Sequence, residues 1–141
     1  MGARGRLLML RGFLEKLCAE LNLAPAAKRN DGKSYSFHFS GETEVFFADL
    51  YPGVEMRAVI CACPINRRED LFIHLMRANL LGQGTGGARI GLDDKEKNLT
   101  LSLGLPYEMK YDAFKGAFEE FVNHLVYWRG SVAKFEKNET V

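Results

Sequence analysis

Residues 99–105 read Leu99-Thr100-Leu101-Ser102-Leu103-Gly104-Leu105, leucine at every second position with small residues between. Side chains of an extended strand point alternately to opposite faces, so this period specifies a strand with one apolar face. Just upstream, Asp93-Asp94-Lys95-Glu96-Lys97 is a polar turn, and Ala88, Ile90 and Leu92 before it form a short strand. Two strands joined by a tight polar turn pair antiparallel. Their apolar face needs a cover. Downstream, Asp112 is placed to cap a helix with Phe114, Phe118, Phe121 and Leu125 on one side, and Gly130 lies just beyond its expected end.

The same reading extends toward the N-terminus. A second helix is expected from a capping box at Asn66 and Glu69, through Leu71, Phe72, Leu75, Ala78 and Asn79, to a stop at Gly82. Before it lie three strand-like segments. Tyr35, Phe37 and Phe39 alternate with Ser36, His38 and Ser40; Gly41-Glu42 is a turn; Thr43 to Leu50 is rich in β-formers. Pro52-Gly53 marks the next turn, and in Val54 to Cys63 the residues Met56, Ala58, Ile60 and Ala62 share a face. Leu7, Leu10, Leu14, Leu17 and Leu21 place a first helix over residues 4–22, ended by Asn22 to Pro25. The expected fold is α+β, a five-stranded antiparallel sheet with three helices in the order α-β-β-β-α-β-β-α. Residues 1–130 are read as one domain and residues 131–141 as a flexible polar tail.

Composition narrows the function. The 141 residues are 47% apolar and 26% charged, which suits a globular chain with one core. Lys and Arg total 19 against 18 Asp and Glu, so no strong field draws nucleic acid or an anionic membrane. Arg11 limits the apolar stretch Leu7 to Leu10, which is too short for a signal peptide, and no other run has the length of a membrane span. Cys18, Cys61 and Cys63 fit no zinc template and read as small buried hydrophobes in a reducing cytoplasm.

Catalytic patterns are sparse. Gly82-Gln83-Gly84-Thr85-Gly86-Gly87 satisfies the dinucleotide pattern literally, but it follows a helix and precedes a strand, so the wrong helix end would face a pyrophosphate. His38, His74 and His124 fall on separate elements without metal-ligand spacing. Asp93-Asp94 lies in a turn followed by lysine, with no reason for a raised pKa. No catalytic residue, cofactor or metal is expected, and the chain reads as a non-enzyme. An antiparallel sheet with exposed edges can instead receive an extended peptide as an added strand.

A further pattern spans Leu71 to Arg129. Leu75 is followed by Ala78-Asn79-Leu80, Gly86-Gly87, Ile90-Gly91-Leu92, an acidic turn, Leu99-x-Leu101 and Pro106, then Phe118, Phe121-Val122 and Trp128-Arg129. This series resembles the class I type III secretion chaperones, the Tir chaperone family. The order of helices and strands in the N-terminal half is also the family's.

The resemblance implies a homodimer in the bacterial cytoplasm that binds the N-terminal region of secreted effectors. It would keep that segment extended and present it to the export machinery, with neither nucleic acid nor membrane insertion involved. By the same resemblance Leu71, Leu75, Asn79 and Ile90 are expected at the dimer interface, and Leu10, Phe37 and Phe39 at the effector groove. Many members are distinctly acidic, whereas this chain carries a net charge of +1. A general protein-interaction domain of the same fold, or a small-ligand-binding protein or enzyme with a dispersed site, are the alternatives.

Overall fold

A computed structural model describes residues 2–29, 34–40, 43–50, 53–81, 87–106 and 108–137, with side chains from Leu10 onward except that of Leu81. The elements are α1 (Gly2–Glu20), β1 (Ala27–Lys28), β2 (Ser34–Ser40), β3 (Thr43–Asp49), β4 (Gly53–Ala62), α2 (Arg68–Leu81), β5 (Arg89–Leu92), β6 (Asn98–Pro106) and α3 (Tyr111–Glu136). The strands form one sheet in the order β1-β2-β3-β4-β6-β5, and the pairs β1–β2, β2–β3, β3–β4 and β5–β6 are antiparallel. The α+β class and the helix count agree with the sequence reading. The sheet has six strands, not five. The extra strand is β1, where Ala27 pairs with Ser36 and Lys28 with Tyr35. Two residues are too few to display a period, and this pair is recruited by the backbone of β2. The turns expected at Gly41-Glu42 and Pro52, and most of the glycine-rich segment (82–86), lie outside the described residues.

The chain divides into two compact units, Met1–Ala58 with Gly104–Ala117, and Val59–Leu103 with Phe118–Val141. In the first, Leu10, Leu14, Leu17 and Cys18 are buried along α1. The helix closes at Glu20. Asn22 takes φ 57°, and the bonds Leu23 N–H to Cys18 O (2.9 Å) and Asn22 N–H to Ala19 O (3.3 Å) satisfy the last carbonyls. That is a Schellman stop, which asparagine tolerates better than most residues. It ends the helix before Pro25 comes into play.

The hairpin registers decide what this unit buries. Tyr35 pairs with Phe47 and Phe37 with Val45; Phe47 pairs in turn with Met56, and Val45 with Ala58. Directly paired residues share a face, so all six point the same way, and all six are buried. Phe37 stacks on Phe47 (5.7 Å, 11°), Phe47 meets Phe114 (5.7 Å), and Phe114 meets Phe13 of α1 (5.2 Å). Gly53 opens β4 where a Cβ would lie 2.7 Å from the Leu105 carbonyl oxygen, so only glycine fits there.

A polar pin joins the end of α1 to the start of α3. The Tyr111 hydroxyl donates to Glu20 at 2.6 Å, the Lys115 ammonium donates at 3.0 Å, and Lys16 sits over the Tyr111 ring at 4.5 Å. The Tyr111 bond, followed by that from Lys115, holds the Glu20 carboxyl below its ordinary range. Burial, then the bond to Glu20, raises the Tyr111 phenol.

In the second unit, Phe118, Phe121, Leu125, Trp128, Val132 and Phe135 recur three and four apart on α3, and every one is buried. This corrects the expected end at Gly130 and the flexible tail from residue 131: the helix continues to Glu136. A mid-helix glycine costs about 1 kcal/mol relative to alanine. Burying Val132 and Phe135 contributes roughly 1.5–3 kcal/mol each, which outweighs it. Leu71 and Leu75 are buried on α2. His74 packs near Trp128 (5.7 Å) and stacks on Phe135 (6.1 Å, 17°), while Arg67 lies over Phe135 at 4.2 Å. The first carbonyl of the helix to accept is that of Arg67, from Leu71 N–H at 3.0 Å, so α2 starts one residue later than a cap at Asn66 would place it.

Candidate protein-binding surfaces

The described residues that bear polar chemistry are mostly structural. Asp93 accepts from Lys97 N–H (2.9 Å), Asn98 N–H (3.2 Å) and the Asn98 amide (2.8 Å), which builds the β5–β6 turn. The bonds from Asn98, side chain first, hold its carboxyl low, the opposite of what a general acid needs. Burial raises the Cys18 and Cys61 thiols, which suppresses thiolate chemistry. Among the described residues no group of three His, Cys, Asp or Glu converges on a metal position, and no helix is long and apolar enough to cross a membrane.

The surface offers apolar side chains instead. On α2, Ile73, Met76 and Leu80 are 51%, 67% and 84% exposed, and Leu92 at the end of β5 is 36% exposed. Spacings of three and four put the α2 residues on one outward stripe. With Arg77, Asn79, Arg89 and Ile90 they line a broad concavity of about 710 Å³. Helix α2 is therefore apolar on two sides, one turned into the unit and one turned out.

Of the four residues expected at a dimer interface, only Asn79 and Ile90 line this concavity. Leu71 is fully buried and Leu75 is 4% exposed, so both pack into their own unit, and the apolar residues that α2 turns outward are Ile73, Met76 and Leu80. The signal was present as apolar residues left over once the stripe Leu71–Leu75 is assigned, but periodicity alone does not say which stripe faces in.

A second groove, about 300 Å³, lies between α1 and β1 and is lined by Leu14, Pro25, Ala26, Lys28 and Tyr35 with the Arg11–Glu15 pair (3.2 Å) on its rim. The residues expected at an effector groove fall elsewhere. Leu10 is buried and lines a small hollow with Phe13, Val54, Leu105, Met109 and Phe114. Phe37 is 3% exposed beneath its stack with Phe47, so it supports the sheet and presents no ring to a partner. Phe39 is half-buried near the end of β2, at the register shift between His38 and Ser40. The groove residues Pro25, Ala26 and Lys28 were invisible beforehand, because β1 itself was.

The Tir chaperone protein (CesT) family model matches residues 12–129, and the chain belongs to that family. No curated protein sequence matches it. Among solved structures, it is similar to a chain of the HopA1–SchA chaperone–effector complex, at TM-score 0.68 and 14% identity over 92% of this chain and 99% of that one. A chain of the ExsC–ExsE complex gives TM-score 0.72 at 13% identity, covering 87% and 92%. The complex of the Yersinia pestis type III secretion chaperone SycH with a fragment of YscM2 gives 0.61 at 17%, covering 82% and 96%. At these identities the likeness is one of fold.

Proposed function

We propose that this protein is a homodimeric chaperone of the bacterial cytoplasm that binds the N-terminal region of a type III secretion effector. It holds that segment extended and presents it for export, without catalysing a reaction. The observation that carries this reading is the family match over residues 12–129, joined to a fold shared with chains of chaperone–effector complexes. Two surfaces support the division of labour. The outward stripe of α2 with Leu92 is an apolar face suited to a second copy. The groove beside α1 and β1 combines apolar walls with a charged rim, which suits an extended segment bearing alternating apolar and polar side chains.

The energetics are consistent with such a role. A disordered segment loses chain entropy when it is ordered, and apolar burial at roughly 25 cal/mol per Å² must offset that loss. Two copies present two grooves to one segment, which raises its effective concentration at the second. Affinity purification of the tagged chain from its native cell, followed by proteolysis, is expected to leave a protected N-terminal stretch of a larger exported protein. Recovery of only non-exported partners would overturn the secretion role and leave a general interaction domain.

A further inference from the structure

The carboxamide of Asn79 makes two bonds to one backbone residue. Its Nδ2 donates to the Ile90 carbonyl at 2.7 Å, and its Oδ1 accepts from the Ile90 N–H at 2.8 Å. This donor–acceptor pair is what a neighbouring strand would offer. Ile90 pairs with Leu101, yet both of its backbone groups turn to Asn79 and away from β6. In an antiparallel ladder consecutive residues alternate in direction, so Arg89 and Gly91 face β6 and Ile90 faces out from the sheet edge. The strand is only four residues long, and Ile90 is at its middle.

We infer that Asn79 is a strand-edge plug: its side chain occupies the outward hydrogen-bonding groups of β5 and closes this edge to strand addition. The α2–β5 face then receives a second copy through Ile73, Met76, Leu80 and Leu92 side chains, and not by extending the sheet. An exposed strand edge pairs with any extended backbone, and in a protein that handles unfolded segments such pairing would compete with dimerisation. The inference rests on the dimer reading for its consequence, but not for the plug itself.

The test uses the full chain, isotopically labelled, as wild type, N79A and N79D. In N79A the Ile90 amide is expected to exchange with solvent about tenfold faster or more, while the inward Gly91 amide keeps its rate. Intermolecular backbone contacts between β5 strands, read by nuclear Overhauser effects in a mixed-label sample, are expected in N79A and absent in wild type. N79D keeps the acceptor for the Ile90 N–H but replaces the Nδ2 donor by a carboxylate oxygen facing the Ile90 carbonyl, so its Ile90 amide is expected to exchange faster than in wild type and more slowly than in N79A. A uniform rise across α2 and β5 in N79A, equal loss of protection in N79D, or β5–β5 backbone contacts already in wild type would each refute the plug. Should N79A not fold, N79D and the wild-type contacts decide the matter. A wild-type chain that shows the protected Ile90 amide yet captures no exported partner would defeat the proposed function and leave the plug standing.

Discussion

In the proposed homodimer, Met76→Glu should separate the two copies without unfolding either. The side chain is 67% exposed on the outward stripe of α2, between Ile73 and Leu80. Full burial of a methionine side chain is worth roughly 1.5–3 kcal/mol, so covering the exposed two-thirds contributes about 1–2 kcal/mol per copy. A two-fold interface contains the substitution twice, which makes the loss about 2–4 kcal/mol. At 1.4 kcal/mol per decade the dimer should dissociate about 30- to 700-fold more readily, and the carboxylate's desolvation adds to that. Glutamate is a good helix former, so α2 itself should persist. Sedimentation equilibrium across a concentration series measures the constant, and far-UV circular dichroism checks the fold. A dissociation constant within threefold of wild type would refute the assignment of this face.

Three further perturbations probe the rest. Leu75→Ala removes a side chain only 4% exposed and should cost about 2–5 kcal/mol in urea unfolding, because its neighbours cannot fill the space; a loss under about 0.5 kcal/mol would place Leu75 outside the core. Gly53→Ala drives a Cβ against the Leu105 carbonyl, backbone that cannot step aside, and should lower stability by roughly 1–3 kcal/mol, whereas an unchanged melting temperature would mean that β4 starts differently. The Glu20 carboxyl is held low by Tyr111 and then Lys115, so its contribution to stability is present above its unfolded pKa of about 4.3 and is lost as pH falls through the lower folded value. Glu20→Gln should accordingly flatten the acid decline below about pH 4.5, and a variant that loses stability with pH as steeply as wild type would show that the pin does not titrate.

How much of this was legible beforehand depends on whether local pattern and packing agree. In Leu99–Leu105 they agree: the two-residue period marks an apolar face, and Leu99, Leu101 and Leu105 are buried. The α3 stripe was legible as far as Leu125. Gly130 hid the rest, because a helix stop and a tolerated glycine look alike until Val132 and Phe135 are seen to be buried. β1 carried no local signal, since two residues have no period and their partners sit on another segment.

The binding surfaces were the least legible part. Helix α2 offers Leu71 and Leu75 on one side and Ile73, Met76 and Leu80 on the other. Only the tertiary packing of α2 chooses between them. Tyr35, Phe37 and Phe39 share a face by period, yet burial falls off along β2: Phe37 is locked in its stack with Phe47, while Phe39 is half-buried. Resemblance supplied the family. It could not supply side-chain direction.

Native mass spectrometry of the chain purified with its captured segment tests the central claim most directly. The account predicts two copies of the chain with a single partner segment, and a segment that gives no folded signature of its own in backbone chemical shifts. A one-to-one complex, or a partner domain that stays folded while bound, would contradict it.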